Sequence, residues 1–113
     1  QGQAALIALA TYSELKNIIL VDEDVDIFDS DDILWAMTTR MQGDVSITNL
    51  PGLRGHQLDP SQSPEYSHSI RGNGITCKTV FDCTVPWALK SKFERAPFME
   101  LDPSPWAPDL FEK

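Results

Sequence analysis

The sequence predicts a single α/β domain in which helices pack on a mixed β-sheet, and three features lead to this prediction. Residues 2–15 carry alanine and leucine at helical spacing. Residues 18–21 form a short β-branched run that is typical of a strand, and residues 75–83 alternate apolar and polar side chains as strands do. At 113 residues the chain is long enough to bury one hydrophobic core.

The first predicted helix covers residues 2–15, and the strand at 18–22 follows it after Lys16 and Asn17. This strand is almost uniformly apolar, so we expect it to lie at the centre of the sheet with both faces covered. The short connection predicts that helix and strand run antiparallel. Four residues of the helix are expected on the side that faces the sheet: Leu6, Leu9, Ala10 and Ser13.

Seven carboxylates lie between residues 22 and 32, the densest charge in the chain. Asp29 or Ser30 is expected to cap the next helix, and the acids at 31 and 32 complement its dipole. The acids at 22, 24 and 26 resemble the opening of a calcium loop, but glycine at the sixth position and glutamate at the twelfth are missing. Two other interpretations stay open for them, namely hydrogen bonds to neighbouring turns or contacts with a partner subunit.

The second helix is predicted from about 31 to 41, with Gly43 as its stop. A second strand is expected at 44–48, and a long loop rich in proline and glycine at 49–75. The apolar stripe of the helix contains Ile33, Leu34, Met37 and Met41, with Trp35 at its edge.

The third strand, 75–83, is expected to stop before Pro86, and residues 88–95 form either a short helix or an extended segment. Asp82 within this strand is interpreted as a structural carboxylate. The irregular, proline-rich tail 96–113 carries aromatic residues, which predict docking on another surface.

Charge and cysteine usage narrow the function. A net charge of −8 argues against nucleic-acid binding, and no apolar run approaches the roughly 20 residues that a membrane span needs.

Cys77 and Cys83 share one strand, where their spacing separates the Cα atoms by roughly 20 Å and prevents a disulfide. Free thiols predict a reducing compartment, so we expect a cytoplasmic protein. Because the chain begins at Gln1 without methionine, we expect it to be part of a longer protein.

His56 is the strongest candidate for a binding residue in the long loop. Gly55 precedes it and the rigid pair Asp59-Pro60 follows it, so the direction of the imidazole is expected to be fixed. A fixed imidazole can recognise a hydroxyl or a carboxylate. His68 is interpreted as a surface residue. The serines at 61, 63, 67 and 69 have no visible base partner, so nucleophilic chemistry is not predicted.

Three segments together resemble a known family: KNIILVDEDVDIFDSDDILWAMTTR at 16–40, GHQLDPS at 55–61 and KTVFDCT at 78–84. They are similar to the C-terminal domain of UbiD-type decarboxylases, which use a prenylated flavin. The likeness covers nearly all of residues 1–113, so the whole chain is interpreted as one such domain.

The resemblance implies a non-oxidative, reversible decarboxylation of an aromatic or α,β-unsaturated carboxylic acid. Prenylated FMN, Mn²⁺, K⁺ and the catalytic residues are then expected in the N-terminal flavin-binding domain of the same chain, and this piece alone is expected to be inactive. The C-terminal domain is expected to form a homodimer or larger oligomer and to close over the substrate with His56 and Leu58. An imidazole suits a phenolic hydroxyl, which favours a hydroxybenzoate such as a dihydroxybenzoate.

A different function class is a self-standing protein-interaction module that binds a basic partner through its acidic stretch. This alternative predicts a monomer in sedimentation, whereas the decarboxylase domain predicts a dimer. A receiver-like signalling domain is disfavoured because the order of the later predicted elements does not support it.

Overall fold

A computed structural model of the chain describes residues 2–63, 65, 72, 74–97 and 99–106. It confirms the predicted α/β class, with a mixed three-stranded sheet and packed helices. The elements in chain order are α1 (Gly2–Thr11), β1 (Asn17–Val21), α2 (Ser30–Thr39), α3 (Gly43–Ser46), β2 (Ile47–Arg54), β3 (Ile75–Cys83) and a 3-10 helix (Trp87–Phe93).

The sheet has the strand order β1-β3-β2, so β3 is the middle strand. β1 runs parallel to β3 and β2 runs antiparallel to it. The prediction that the apolar run after Lys16 forms the central strand was therefore wrong, because β1 lies at one edge of the described sheet. Ile18 and Leu20 pack against the cluster under α1 and Val21 packs against the cluster under α2, while Ile19 is exposed. This partial burial does not require a second neighbouring strand.

β2 is longer than the sequence predicted and begins later. Residues 44–46, expected to open a strand, lie in the short helix α3, and β2 then runs from Ile47 to Arg54 through the start of the predicted loop. The register of β2 shifts between Leu50 and Leu53, and Gly52 there has a positive φ of 76°. A bulge of this kind accommodates Pro51 and Gly52 because an edge strand can leave backbone groups unpaired.

Two apolar clusters form the core, one on each face of the sheet. On the first face α1 buries Ala5 and Leu9 against Val80, which confirms that α1 packs on the sheet. α1 ends at Thr11 rather than at residue 15, and Leu6 and Ala10 remain exposed, so only Leu9 of the predicted stripe is buried.

The second cluster lies under α2, where Val25, Ala36 and Cys83 are buried. Asp29 caps α2 as predicted, since its side chain accepts a hydrogen bond from the amide of Asp31. Leu34 was wrongly assigned to the core and is 59% exposed, whereas Ala36 is fully buried. The side chain of Ala36 is a single methyl group, so it fits where α2 packs closely against Val25 and Cys83. The remaining stripe residues pack against this cluster as predicted: Ile33, Trp35, Met37 and Met41.

The end of the described chain is partly regular. β3 has the predicted bounds, and the segment with two predicted alternatives forms the 3-10 helix. Gly43 starts α3 rather than stopping α2. Cys77 and Cys83 are both free thiols.

Met99 and Leu101 are exposed in the tail, while Phe98 and residues 107–113 lie outside the described residues. None of the helices that the structure describes could span a bilayer.

Candidate functional site

Two polar regions follow strands of the sheet and were the candidates for function. The acidic turn, residues 22–32, follows β1 and leads into α2. The His56 loop, residues 55–63, follows β2 and lies near the start of β3. The structure shows that their side chains are used in different ways.

A buried guanidinium, that of Arg40, pairs with two carboxylates of the acidic turn. The Arg40 side chain is only 3% exposed and donates to the two carboxylate oxygens of Asp24 at 2.7 and 2.6 Å. It also lies 3.4 Å from a carboxylate oxygen of Asp22 and donates to the carbonyl of Phe93 at 3.3 Å. These hydrogen bonds from Arg40 hold the pKa of Asp24 below its usual value.

Arg95, which lies 63 residues after Asp32 in the sequence, forms a second ion pair with the acidic turn. Its guanidinium donates to the Asp32 carboxylate at 2.7 and 3.2 Å and stacks 3.9 Å from the ring centroid of Trp35. Asp32 also accepts a hydrogen bond from the amide of Asp26 at 2.7 Å. The pKa of Asp32 is lowered, chiefly by the hydrogen bond from Arg95. Residues 87–95 are therefore held against the acidic turn by hydrogen bonds and ion pairs.

The carboxylates of the acidic turn serve its local structure rather than a calcium loop. Asp22 accepts from the amide of Val85 at 2.9 Å, Asp26 accepts from Phe28, and Asp29 caps α2. Among the residues placed by the structure, no group of three or more histidine, cysteine, aspartate or glutamate side chains could hold a metal ion. Hydrogen bonding to neighbouring turns, one of the open interpretations, is what the structure shows.

A backbone hydrogen bond to Gly74 and a close approach to Thr76 of β3 fix the start of the His56 loop. The amide of Gly55 donates to the carbonyl of Gly74 at 2.7 Å. A Cβ atom added at Gly55 would lie 2.5 Å from Cγ2 of Thr76, which is shorter than any normal contact. Glycine at position 55 therefore permits the close approach of the loop to β3.

An ion pair holds the middle of the loop against the start of β1. The Lys16 ammonium lies 2.7 Å from the Asp59 carboxylate and donates to the hydroxyl of Ser61 at 2.6 Å. Asp59 also accepts hydrogen bonds from the amide and hydroxyl of Ser61. These bonds, with that from Lys16 as the largest, lower the pKa of Asp59 to about 2. Ser61 is thus engaged in the loop structure.

The imidazole of His56 projects from this anchored loop. Its Nδ1 accepts a hydrogen bond from the amide of Leu58 at 3.1 Å, and its Nε2 lies 3.7 Å from the carboxylate of Glu14. The His56 side chain is 45% exposed and Leu58 is 82% exposed. The two predicted substrate-binding residues are therefore brought together on an accessible surface. His68, Ser67 and Ser69 lie outside the described residues.

An apolar groove lies between α1 and β2, close to Glu14 and the start of the loop. Its volume is about 570 Å³, and Lys78 contributes the buried polar group in its lining. The Lys78 ammonium donates to the carbonyl of Ser13 at 2.8 Å, and burial lowers its pKa. Four leucines supply most of the apolar lining: Leu6, Leu9, Leu50 and Leu53.

The sequence interpretation missed several residues that organise these regions, among them Lys16, Arg40, Arg95 and Gln62. Arg40 lies seven residues after Ile33 on the buried side of α2, and a charged residue at that spacing was a usable signal of a buried ion pair. Arg95 and Gln62 gave no comparable signal, because their partners are far away in the sequence. Asp82 accepts a hydrogen bond from the amide of Thr84 at 3.0 Å, which agrees with a structural carboxylate.

Known proteins resemble this chain in sequence and in structure. The gallate decarboxylase of Lactiplantibacillus plantarum is 53% identical over 102 residues, which make up 89% of this chain and 21% of that protein. The apo structure of 3,4-dihydroxybenzoic acid decarboxylase from Enterobacter cloacae is 90% identical with a TM-score of 0.84, covering 98% of this chain and 23% of that one.

A more distant structure is that of the UbiD-class enzyme HmfF from Pelotomaculum thermopropionicum in complex with FMN. It is 30% identical with a TM-score of 0.72, over 84% of this chain and 20% of that one. The chain thus spans about a fifth to a quarter of the length of these relatives. Residues 1–83 match the family described as the 3-octaprenyl-4-hydroxybenzoate carboxy-lyase C-terminal domain. The resemblance seen in the sequence is confirmed, and the chain belongs to this family of UbiD C-terminal domains.

Proposed function

We propose that this chain is the substrate-capping and dimerisation domain of a reversible, non-oxidative aromatic-acid decarboxylase that acts on a dihydroxybenzoate. The relatives named for gallate and for 3,4-dihydroxybenzoic acid support this substrate class, because both acids carry adjacent ring hydroxyls. The free thiols of Cys77 and Cys83 support a cytoplasmic location.

The geometry of His56 carries the proposal. Because Nδ1 accepts the amide proton of Leu58, the proton of the neutral ring resides on Nε2. Nε2–H is then a donor on a half-exposed ring, 3.7 Å from the Glu14 carboxylate, and it can hydrogen-bond a phenolic oxygen of the substrate. The exposed side chain of Leu58 supplies an adjoining apolar surface for the aromatic ring. In this proposal His56 orients the substrate.

Prenylated FMN, Mn²⁺ and K⁺ are proposed to bind in the N-terminal domain of the complete enzyme. The FMN complex of HmfF supports a flavin for the class. The described part of this chain does not fit the role of metal site, since it lacks a suitable ligand group and the carboxylates of Asp22 and Asp24 already pair with Arg40. Its contribution is to bind and orient the acid.

Replacing the imidazole in the complete enzyme tests the assignment of His56. His56→Phe keeps an aromatic ring and removes the donor, so kcat/KM for 3,4-dihydroxybenzoate is expected to fall about 10- to 100-fold relative to an aromatic acid without ring hydroxyls. His56→Gln restores a donor and is expected to recover part of the preference. Steady-state kinetics with both acids measure this ratio.

Gln57→Ala in the same loop is the matched control and should leave the ratio near that of the parent enzyme. An unchanged ratio in His56→Phe contradicts the assignment of His56 as the residue that recognises the hydroxyl.

Exposed apolar residues within and just after the acidic turn support the dimerisation role. Phe28 is 93% exposed, and Ile27 and Leu34 are also exposed nearby in the sequence. Apolar side chains of this size at the surface are typical of an interface. Sedimentation is expected to show a dimer that Phe28→Ser weakens. A monomer for the parent chain would instead favour the stand-alone interaction module.

A further inference from the structure

The side chain of Gln62 connects the His56 loop to the segment before β3. Its Nε2 donates to the carbonyl of His56 at 2.6 Å, and its Oε1 accepts from the amide of Gly74 at 2.7 Å. Gln62 itself is partly buried, the bond to Gly74 is partly shielded from water and the bond to His56 is exposed. The amide group of Gln62 therefore connects His56 to Gly74, which lies 12 residues after Gln62 in the sequence.

Both backbone groups of Gly74 are hydrogen-bonded to the His56 loop. The amide that precedes His56, that of Gly55, donates to the Gly74 carbonyl, and the carbonyl of His56 itself is linked through Gln62 to the Gly74 amide. The amide of Gly55, one residue before His56, and the carbonyl of His56 are thus both linked to Gly74. The hydrogen bond from Leu58 to Nδ1 then fixes the direction of the ring.

We propose that Gln62 is a positioning residue that sets the selectivity of the enzyme for ring-hydroxylated acids by holding the His56 peptide in place. This inference rests on the proposed function of His56. A hydrogen bond from Nε2 to a phenol depends steeply on distance and angle, so movement of the His56 backbone by part of an ångström weakens it. Gln62 itself does not touch the substrate.

Only an amide side chain of this length serves both ends of the bridge. Glutamate at position 62 keeps an acceptor for the Gly74 amide but places a carboxylate oxygen against the His56 carbonyl, where two acceptors repel. Methionine has a similar length and provides neither strong bond. Gln62→Glu therefore breaks the link to His56 selectively, and Gln62→Met breaks both.

A double-mutant cycle in the complete decarboxylase tests the inference. The ratio of kcat/KM for 3,4-dihydroxybenzoate to that for an unhydroxylated aromatic acid is measured for Gln62→Glu, Gln62→Met, His56→Phe and the combination of Gln62→Glu with His56→Phe. Gln62→Glu is expected to lower the ratio about 5- to 10-fold in the parent enzyme and to leave it unchanged in the His56→Phe enzyme. Gln3→Glu on the exposed side of α1 makes the same chemical change and should leave the ratio unaffected.

Hydrogen exchange of the complete enzyme gives a readout independent of turnover. Peptides covering residues 55–63 are expected to exchange faster in Gln62→Glu and Gln62→Met, and at the parent rate in Gln3→Glu. If the ratio is unchanged in Gln62→Glu but falls in His56→Phe, the inference about Gln62 is overturned and the proposed function of His56 stands. An equal loss in both backgrounds also overturns it, because Gln62 then acts through the general fold. An unimpaired His56→Phe enzyme overturns the proposed function together with this inference.

Discussion

The acidic turn and the His56 loop both follow a strand and are both rich in polar residues, but they differ in which groups are bonded. In the acidic turn the side chains make the contacts, and Asp24 and Asp32 pair with Arg40 and Arg95. In the His56 loop the backbone is anchored, and the side chains of His56 and Leu58 remain accessible.

The difference shows that charge density alone is a poor guide to a binding site. The seven acids were the most conspicuous feature of the sequence, yet five of them accept hydrogen bonds from groups within the fold: Asp22, Asp24, Asp26, Asp29 and Asp32. The single imidazole was less conspicuous, but a hydrogen bond from the amide of Leu58 fixes its position while nearly half of its side chain stays exposed. A fixed backbone under an accessible polar side chain is the arrangement that a recognition site requires.

The largest expected effect is the loss of the buried ion pair in the acidic turn. Arg40→Met leaves the carboxylates of Asp22 and Asp24 without their cation and is expected to lower the free energy of unfolding by about 3 kcal/mol, near the low end for a buried pair. Asp24 is half-exposed and regains water, which limits the cost. Urea denaturation measures the change. Arg95→Met removes a more exposed pair and should cost about 1 kcal/mol or less. Equal losses would contradict the central role of Arg40.

A smaller effect is expected where the His56 loop approaches β3. Gly55→Ala creates a clash with Thr76 and should destabilise the domain by about 1 to 3 kcal/mol, as overpacking does. Combining it with Thr76→Ser removes the methyl group that clashes and should recover part of the stability. Gly72→Ala is the control, since nothing lies within 4 Å of its added Cβ. Thermal unfolding compares the variants, and failure of Thr76→Ser to rescue would mean that the close contact is not the cause.

The smallest effect is a pH dependence from Asp59. Its pKa in the folded state, about 2, lies below the usual value of 3.8. Between pH 3.8 and about 2 the unfolded state therefore binds more protons than the folded state. The stability that Asp59 contributes is complete above pH 3.8 and is lost as the pH falls towards about 2. Urea midpoints should fall on acidification in the parent more steeply than in Asp59→Asn. The exposed Asp44→Asn variant should follow the parent, and parallel curves for Asp59→Asn would contradict the ion pair with Lys16.

Local features could be predicted from the sequence, whereas features that depend on distant residues could not. The bounds of β3 and the Asp29 cap follow from short patterns and were correct. The edge position of β1 depends on which strand pairs with it, and no local pattern encodes that choice. The extension of β2 through Pro51 depends on its being an edge strand, which is also a property of the assembled sheet.

The same division holds at the candidate site. Gly55 and the Asp59-Pro60 pair were enough to predict that the loop holds His56 in a fixed direction. The residues that fix it, Lys16 and Gln62, could not be identified in advance, because Lys16 reaches 43 residues along the chain to Asp59 and Gln62 reaches 12 to Gly74.

The edge position of β1 has a practical consequence for producing this domain in isolation. Among the described residues only β3 pairs with β1, so the outer backbone amides and carbonyls of β1 form a template on which another extended chain can add. Ile19 on this strand is exposed and adds an apolar contact for such a strand. Preparations are therefore expected to aggregate at high concentration, and Ile19→Lys is the substitution that should suppress this by placing a charge on the open margin.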